Sequence, residues 1–433
     1  MRRKPETYGS RGVLTSRSGG LIIIRNLHHE ISEGVPVMSR PLRVTIIGAG
    51  IGGLSAAVAL RKIGADVTVV ERAPELRAAG AGICMWPNGA QALHALGIAN
   101  PLEMVSPILH RVCYRDQHGR VIREMSIDKL TELVGQRPFP LARSDLQAAL
   151  LSRLDPALVR LGGACVSVEQ DANGVRAVLD DGTEIASDLL VGADGIRSVV
   201  RNHVTGGTDR LRYHYTTWLG LVSFGLNLTP PGTFTFHVQD SKRVGLLNVG
   251  DDRLYFFFDA VPSGEANPDG VRAELRHHFD GWCSEVTTLV EALDEAKTNR
   301  LPVHDLDPLA SFVNGRIVLI GDAAHATTPT LGQGGALAME DSLVLARHLA
   351  ESTDYGSALA SYDNERLMRT RQVVLASRAR TAATLGIDNT SAQTWQKQLT
   401  DDASQDFLEQ LVDIHRAGPL AAWPHDRQEG VAT

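Results

Sequence analysis

The strongest constraint in this chain is a strand that runs straight into glycines. Arg43-Val44-Thr45-Ile46-Ile47 is a short β-branched run, followed at once by Gly48-Ala49-Gly50-Ile51-Gly52-Gly53. The alanine-rich segment Leu54 to Ile63 predicts a helix ended by Gly64. Asp66-Val67-Thr68-Val69-Val70 predicts a second strand, closed by Glu71. Strand, GxGxxG turn, helix and strand in this order predict a βαβ unit that takes a dinucleotide. Gly48 permits the tight turn, Gly50 lets a pyrophosphate approach the backbone, and Gly53 lets helix and strand pack closely. The helix start offers unpaired N–H groups and the positive end of its dipole to the phosphates. Glu71 stands about twenty residues on, where an acid accepts from ribose hydroxyls. This unit alone does not separate NAD from FAD.

Two later turns separate them. Asp188-Leu189-Leu190-Val191 leads into Gly192-Ala193-Asp194-Gly195-Ile196-Arg197-Ser198. Arg316-Ile317-Val318-Leu319-Ile320 leads into Gly321-Asp322-Ala323-Ala324-His325, then Thr327 to Gly335. Three strand-end turns so far apart suit a long dinucleotide bound along a domain assembled from separated segments. Ala336, Leu337, Met339, Leu343, Leu345, Ala346 and Leu349 predict a helix from Gly335 to Leu349. Its glycine-rich start favours negative charge. His325 reads as a structural histidine rather than a base, since no carboxylate in sequence is placed to orient it.

Length and composition narrow the class. A chain of 433 residues exceeds what one core normally serves. A net charge of −7, from 43 basic and 50 acidic residues, argues against a nucleic-acid binder. Cys84, Cys113, Cys165 and Cys283 form no CxxC, so neither a redox dithiol nor a zinc site is signalled. Lone thiols suit a reducing cytosol and predict a cytoplasmic protein. No apolar run approaches the ~20 residues of a membrane helix, and no GxSxG, HExxH or clustered metal ligands occur. Residues 1–40 read as a disordered or spurious extension, with Met38 a candidate start.

The middle of the chain predicts antiparallel strands. Tyr213, Tyr215, Thr217 and Leu219 alternate with His214, Thr216 and Trp218. Then come Phe234 to Val238, Arg243 to Leu247, and Arg253 to Asp259. Alternation gives each strand one face for a cavity and one for a core. Arg243 shares a face with Gly245 and Leu247; Tyr255, Phe257 and Asp259 share one with Leu254, Phe256 and Phe258 behind. On composition alone, an arginine early in a strand is usually solvated. The arginine-rich stretch Tyr355 to Ile387, with Arg366, Arg369, Arg371, Arg378 and Arg380, reads as a solvated helix bracing the rest.

Together GAGIGG, GADGIRS and GDAAH resemble the single-component FAD-dependent aromatic hydroxylases, the para-hydroxybenzoate hydroxylase class, over residues 40 to 385. Within that class Met85-Trp86-Pro87-Asn88-Gly89, Lys242-Arg243-Val244, Arg253 to Asp259, Thr298-Asn299-Arg300 and Thr327-Thr328-Pro329 resemble the FAD-dependent urate hydroxylases. The resemblance implies FAD as cofactor and NADH or NADPH as co-substrate. It also implies hydroxylation of an electron-rich ring by O2 through a flavin C4a-hydroperoxide, with urate to 5-hydroxyisourate first in line. It implies that Gly48, Gly50, Gly52, Gly53, Glu71, Arg72, Cys84, Arg143, Cys165, Asp194 and Asp322 bind the cofactor. Gly332, Gln333, Gly334, Gly335 and Ala336 would lie against the flavin ring. The resemblance also implies Arg243 and Tyr255 as the catalytic pair, with Thr217, Phe257 and Thr330 completing the substrate site. The urate hydroxylase pattern has an asparagine at Thr217 and an aspartate at Thr330, so substrate identity follows less closely than cofactor or reaction. The absence of a second GxGxxG fits a nicotinamide that binds only transiently.

The expected fold is α/β: a Rossmann-like FAD-binding domain of the glutathione-reductase type, an antiparallel-sheet substrate domain and C-terminal helices. The FAD-binding domain would take 41–112, 140–210 and 300–350. The substrate domain would take 113–139 and 211–299, and residues 351–433 the helices and a tail. The expected partners are a small aromatic molecule and O2, with no nucleic acid, membrane or metal. Three other readings stay open: another aromatic or natural-product substrate, a flavin oxidase or dehydrogenase, and a flavin-binding regulator without turnover.

Overall fold

This computed structural model describes residues 40–76, 80–239, 241–261, 270–400, 412–415 and 418–419. Apart from Arg40, the expectation for residues 1–40 lies outside the described residues. Arg40 and Arg43 both pair with the buried Asp188, at 2.8 and 3.0 Å.

The predicted βαβ unit forms as read: strand Arg43–Ile47, helix Ile51–Lys62, strand Asp66–Glu71. It belongs to a six-stranded sheet ordered Val313–Asn314, Ile317–Leu319, Leu189–Gly192, Arg43–Ile47, Asp66–Glu71, Val159–Leu161. The inner neighbours are parallel, with Ile47 level with Gly192 and Gly192 level with Leu319. That register is why three motifs far apart in sequence meet. Each turn leaves the carboxyl end of an adjacent parallel strand, the side on which α/β sheets bind ligands. Such strands are buried on both faces and read as continuous apolar runs, as these three do.

Helix Gly334–Glu351, predicted as Gly335 to Leu349, packs on helix Ile51–Lys62, and the Ser342 hydroxyl donates to the Gly52 carbonyl at 3.2 Å. Together these helices and the sheet enclose the largest apolar core, which includes Ile46, Leu54, Val69, Leu190, Val318 and Leu343.

A seven-stranded sheet runs Asn299–Leu306, Leu211–Ser223, Arg253–Ala260, Lys242–Asn248, Thr233–Gln239, Arg111–Arg115, Val121–Ser126. It is not wholly antiparallel: Thr233–Gln239 pairs with Arg111–Arg115 in parallel. The chain between those strands is long enough for the crossover that parallel pairing needs. One face packs Trp218, Val244, Leu246, Leu254, Phe256 and Phe258 against helices Val271–His278 and Ser284–Ala292. The alternation read from sequence therefore leaves Thr217, Arg243, Leu247, Tyr255, Phe257 and Asp259 on the other face.

The C-terminal part forms helices Tyr355–Thr384 and Asn389–Thr400. Here the reading of a solvated arginine helix is corrected. Arg366 is fully buried between Glu340 and Asp341, at 2.9 and 2.7 Å, and Arg369 is buried beside Glu340. Arg378 pairs with the buried Asp305 at 2.6 Å, and only Arg371 is exposed. The acids that bury these arginines lie on other elements, so the helix's own composition could not reveal them.

Candidate active site

A cavity of about 450 Å³ opens where the three turns face the seven-stranded sheet. On the turn side, Gly50, Gly52, Gly195, Gly321, Asp322, Gly332, Gly334 and Gly335 line it, joined by Cys84 and Arg143. On the sheet side stand Thr217, Arg243, Tyr255, Phe257 and Asp259, with Thr330 at the junction.

The glycines fit a dinucleotide for separable reasons. Gly48 has φ +105, and a Cβ there would lie 2.3 Å from the Ala193 carbonyl oxygen. A Cβ on Gly53 would lie 1.9 Å from the Gly48 carbonyl oxygen. Both are therefore needed for the turn and its packing. Gly50 differs: a Cβ there would meet nothing within 4 Å, because its space is the cavity itself. Its backbone has φ −72 and ψ −176, which any residue adopts. This cradle, filled only by a group brought to it, is what a pyrophosphate needs. Arg143 stands at the start of helix Arg143–Leu151, exposed to the cavity and without an ion-pair partner among the described residues.

Other expected cofactor residues stand off the cavity. Glu71 ends its strand beside the turn; its carboxylate accepts from the Ala49 and Ala73 N–H groups at 2.8 and 3.0 Å. Arg72 follows it, exposed. The Gly163 N–H donates to the Glu71 carbonyl at 3.1 Å, so the chain reaches Cys165 past that same end of the sheet. Burial pushes the Cys165 thiol up to about 11. Asp194 caps helix Val199–Thr205, accepting from the Ser198 hydroxyl at 2.5 Å and from the Val199 N–H at 2.7 Å. That hold presents Gly195 to the cavity. Gln333 is buried, with its carbonyl accepting from Asn88 at 2.9 Å. A Cβ on Gly89 would lie 3.1 Å from the Ala336 methyl, so that side chain faces the Gly89 helix, away from the cavity. What Gln333 to Ala336 turn outward is the amide end of helix Gly334–Glu351, which favours negative charge.

His325 gains the partner that sequence did not show. Its Nε2 lies 2.6 Å from Asp341 Oδ2, which also accepts from the Gly321 N–H at 2.8 Å. The ring is buried outside the cavity, so its role is to hold the Gly321-Asp322 turn. Burial pushes the Asp341 carboxyl up, but His325, Arg366 and the Gly321 amide outweigh it and hold it at about 2.

On the sheet side, Arg243 is 5% exposed rather than solvated. Its Nε and Nη2 both donate to Asp259 Oδ2, at 3.0 and 2.5 Å. Its guanidinium lies 5.3 Å from the Phe257 ring centre and 5.9 Å from that of Phe236. Burial lowers its affinity for the proton, and the Asp259 charge more than restores it. Burial lifts Asp259 above the usual carboxylate range against the pull of Arg243 and the Thr217 hydroxyl. Arg243 keeps its proton, so the 2.5 Å contact is a charge-assisted hydrogen bond. Burial likewise raises Tyr255, so its hydroxyl is a donor at neutral pH. Thr330 does not stand free: its hydroxyl bonds Thr381 at 2.7 Å, and Thr381 donates to Thr328 at 2.8 Å.

The sequence reading missed one wall. Tyr114, Phe236, Arg380 and Trp395 line the cavity. Tyr114 stacks on Phe236 at 5.2 Å and meets Trp395 edge-on at 5.6 Å, and Arg380 lies 4.4 Å from the Trp395 ring centre. Trp86, inside a run singled out by resemblance, also lines the cavity and stacks on His415 at 5.7 Å.

The FAD-binding domain family matches residues 41–377. The chain belongs to that family. FAD is its cofactor, and it is a flavoprotein monooxygenase of the NAD(P)H-dependent kind. It is 39% identical over 383 residues to the FAD-dependent urate hydroxylase of Klebsiella pneumoniae, covering 88% of this chain and 100% of that one. It is 40% identical over 386 residues to the FAD-dependent urate hydroxylase of Mycolicibacterium vanbaalenii, covering 88% and 98%. The crystal structure of Klebsiella pneumoniae HpxO with FAD and uric acid superposes with a TM-score of 0.83 at 39% identity, covering 88% of this chain and 98% of that one. Among the described residues no helix is long and apolar enough to cross a membrane, and no cluster of metal-ligating side chains occurs.

Proposed function

We propose that this chain hydroxylates an electron-rich heteroaromatic ring, with urate the leading substrate and 5-hydroxyisourate the product. The observation that carries the reading is one cavity with glycine-rich turns on one side and the buried Arg243 and half-buried Tyr255 on the other. The similarity to FAD-dependent urate hydroxylases supports it. The chemistry that bound FAD supplies is activation of O2, after reduction by NADH or NADPH, and delivery of one oxygen atom to the ring.

The chain's own residues do the rest. Gly50, Gly52 and Arg143 would hold the pyrophosphate on the turn that Gly48 and Gly53 shape, with Glu71 and the Cys165 segment at the adenosine end. Asp322 would accept from the ribityl hydroxyls, and the amides before Leu337 would face the flavin's negative charge. Arg243, beside the Phe236 and Phe257 rings, would fix the ring, and the protonated Tyr255 would donate a hydrogen bond to it. The aromatic walls exclude water, which strengthens every polar contact inside. The four cysteines are free, as in a protein working in a reducing cytoplasm.

The test is NADH and NADPH oxidation, O2 uptake and product mass, with and without urate. Oxidation stimulated by urate, with a one-oxygen mass gain, is the expected result. Stimulation by phenols and not by urate would replace the substrate and keep the reaction. Oxidation with peroxide as sole product for every ring tried would make the protein an oxidase.

A further inference from the structure

Resting on the hydroxylase reading, we infer that Thr381 is a positioning residue that fixes the direction of the Thr330 hydroxyl. Thr330 then meets a bound ring only as a hydrogen-bond acceptor, so the ring atom opposite it must carry an N–H or O–H. Thr330 lines the cavity where the turns meet the sheet. Thr381 stands behind it on helix Tyr355–Thr384, fully buried, as are Ser377 on the same helix and Thr328 on the turn.

The direction follows from where protons can come from. A carbonyl oxygen donates none, so any hydroxyl at hydrogen-bond distance from one must supply the proton. Thr381 Oγ1 lies 2.9 Å from the carbonyl of Ser377, the residue four back, which is a common bond for a threonine inside a helix. It also lies 2.8 Å from Thr328 Oγ1. Ser377 Oγ gives its proton to the Thr328 carbonyl at 2.8 Å, so its 2.9 Å distance to Thr328 Oγ1 draws on the Thr328 proton. The protons of Thr381, Ser377 and Thr328 are thus all committed within this buried group. The remaining distance, 2.7 Å between Thr330 and Thr381, is filled by the Thr330 proton. Turning that proton to the cavity would set lone pairs against each other at a buried site, which costs as much as any unmade buried hydrogen bond. The Tyr215 hydroxyl, buried and with no hydrogen-bond partner among the described residues, stands near Thr330 and is kept protonated by burial. It can claim only one of the two Thr330 lone pairs, and the other is left for the cavity. A site that presents a fixed acceptor rejects a ring whose facing atom has only a lone pair.

Indole and benzofuran share a shape and differ in one ring atom, N–H against O, so their ratio of affinities reads this direction. Their equilibrium binding to the FAD-loaded protein is followed by flavin absorbance. The wild type should prefer indole at least fivefold; equal binding would overturn the proposal. Thr381→Val frees the Thr330 proton to turn toward the ring and should cut the preference at least fivefold, with FAD affinity held within twofold. Thr381→Ser keeps the hydroxyl and should keep the preference within twofold. A folded Thr381→Val with the wild-type preference overturns the proposal. Thr330→Val should abolish the preference, and adding Thr381→Val to it should change neither affinity more than twofold. A full further loss in that double variant would mean that Thr381 acts on the fold and not through Thr330, and overturns the proposal. If Thr381→Val fails to fold, Thr330→Val decides alone: a preference that survives without the Thr330 oxygen overturns it. The two readings fail separately. Urate that binds without stimulating NADH oxidation sinks the hydroxylase and leaves the indole preference standing. Urate turnover in a protein that binds indole and benzofuran equally does the reverse.

Discussion

At the residue scale, the turn glycines separate fold from binding. Gly53→Ala places a Cβ 1.9 Å from a backbone oxygen, which no side-chain motion relieves. It should prevent folding or lower the melting temperature sharply, with or without FAD. Gly50→Ala meets nothing and needs no unusual backbone. It should leave the apoprotein's melting curve unchanged and weaken FAD binding about tenfold or more; unaltered FAD affinity would remove Gly50 from the pyrophosphate site. The buried pair gives a second expectation. Arg243→Met strands the Asp259 charge and should cost about 3–5 kcal/mol in urea unfolding, with loss of urate-stimulated NADH oxidation. Adding Asp259→Leu should restore most of the stability and none of the activity, since apolar replacement of a whole buried pair is often tolerated. Asp341 supplies the pH dependence. Its folded carboxyl is held at about 2, below the ~3.9 of an unfolded chain. A carboxyl depressed by folding adds stability above its unfolded value and loses it as pH falls through the folded one. Stability should therefore fall between about pH 4 and pH 2, and Asp341→Asn should flatten that slope in urea titrations at stepped pH. An unchanged slope would mean that Asp341 is not the carboxylate being titrated.

At the scale of elements, what the sequence made legible was local. The GxGxxG unit needs only neighbours along the chain, so its strands, helix and the division of labour among its glycines came out as read. The alternation in Arg253–Ala260 named Tyr255, Phe257 and Asp259 as one face, because a strand's period of two survives any partner. What stayed hidden depends on elements that meet across the fold. His325 lacked an orienting acid because Asp341 stands on helix Gly334–Glu351, across the glycine-rich turn that separates them. Arg366, Arg369 and Arg378 looked solvated because Glu340, Asp341 and Asp305 lie elsewhere. Trp395 joins the cavity only because helix Asn389–Thr400 folds back against helix Tyr355–Thr384 and reaches Tyr114. That aromatic wall carries its own expectation. Trp395→Ala should raise the KM for the ring substrate about tenfold while leaving FAD affinity within twofold, consistent with an aromatic contact of about 1.4 kcal/mol. Weakened FAD binding with an unchanged KM would move Trp395 out of the substrate wall.

At the scale of the whole molecule, a largely parallel sheet and a mixed sheet face one cavity from opposite sides. The parallel sheet ends in three turns whose register brings them together, and it presents amides and glycines. The mixed sheet presents a charged pair, a protonated tyrosine and aromatic rings. The first arrangement suits a flavin dinucleotide and the second a polar ring set against it, which is the division a monooxygenase needs. The most direct test is the isotope content of the product when FAD-loaded protein, NADH and urate react under ¹⁸O₂. One ¹⁸O atom per product molecule, with one NADH consumed for each, is the expected result. A product without ¹⁸O, or NADH consumption that urate does not stimulate, would contradict the account.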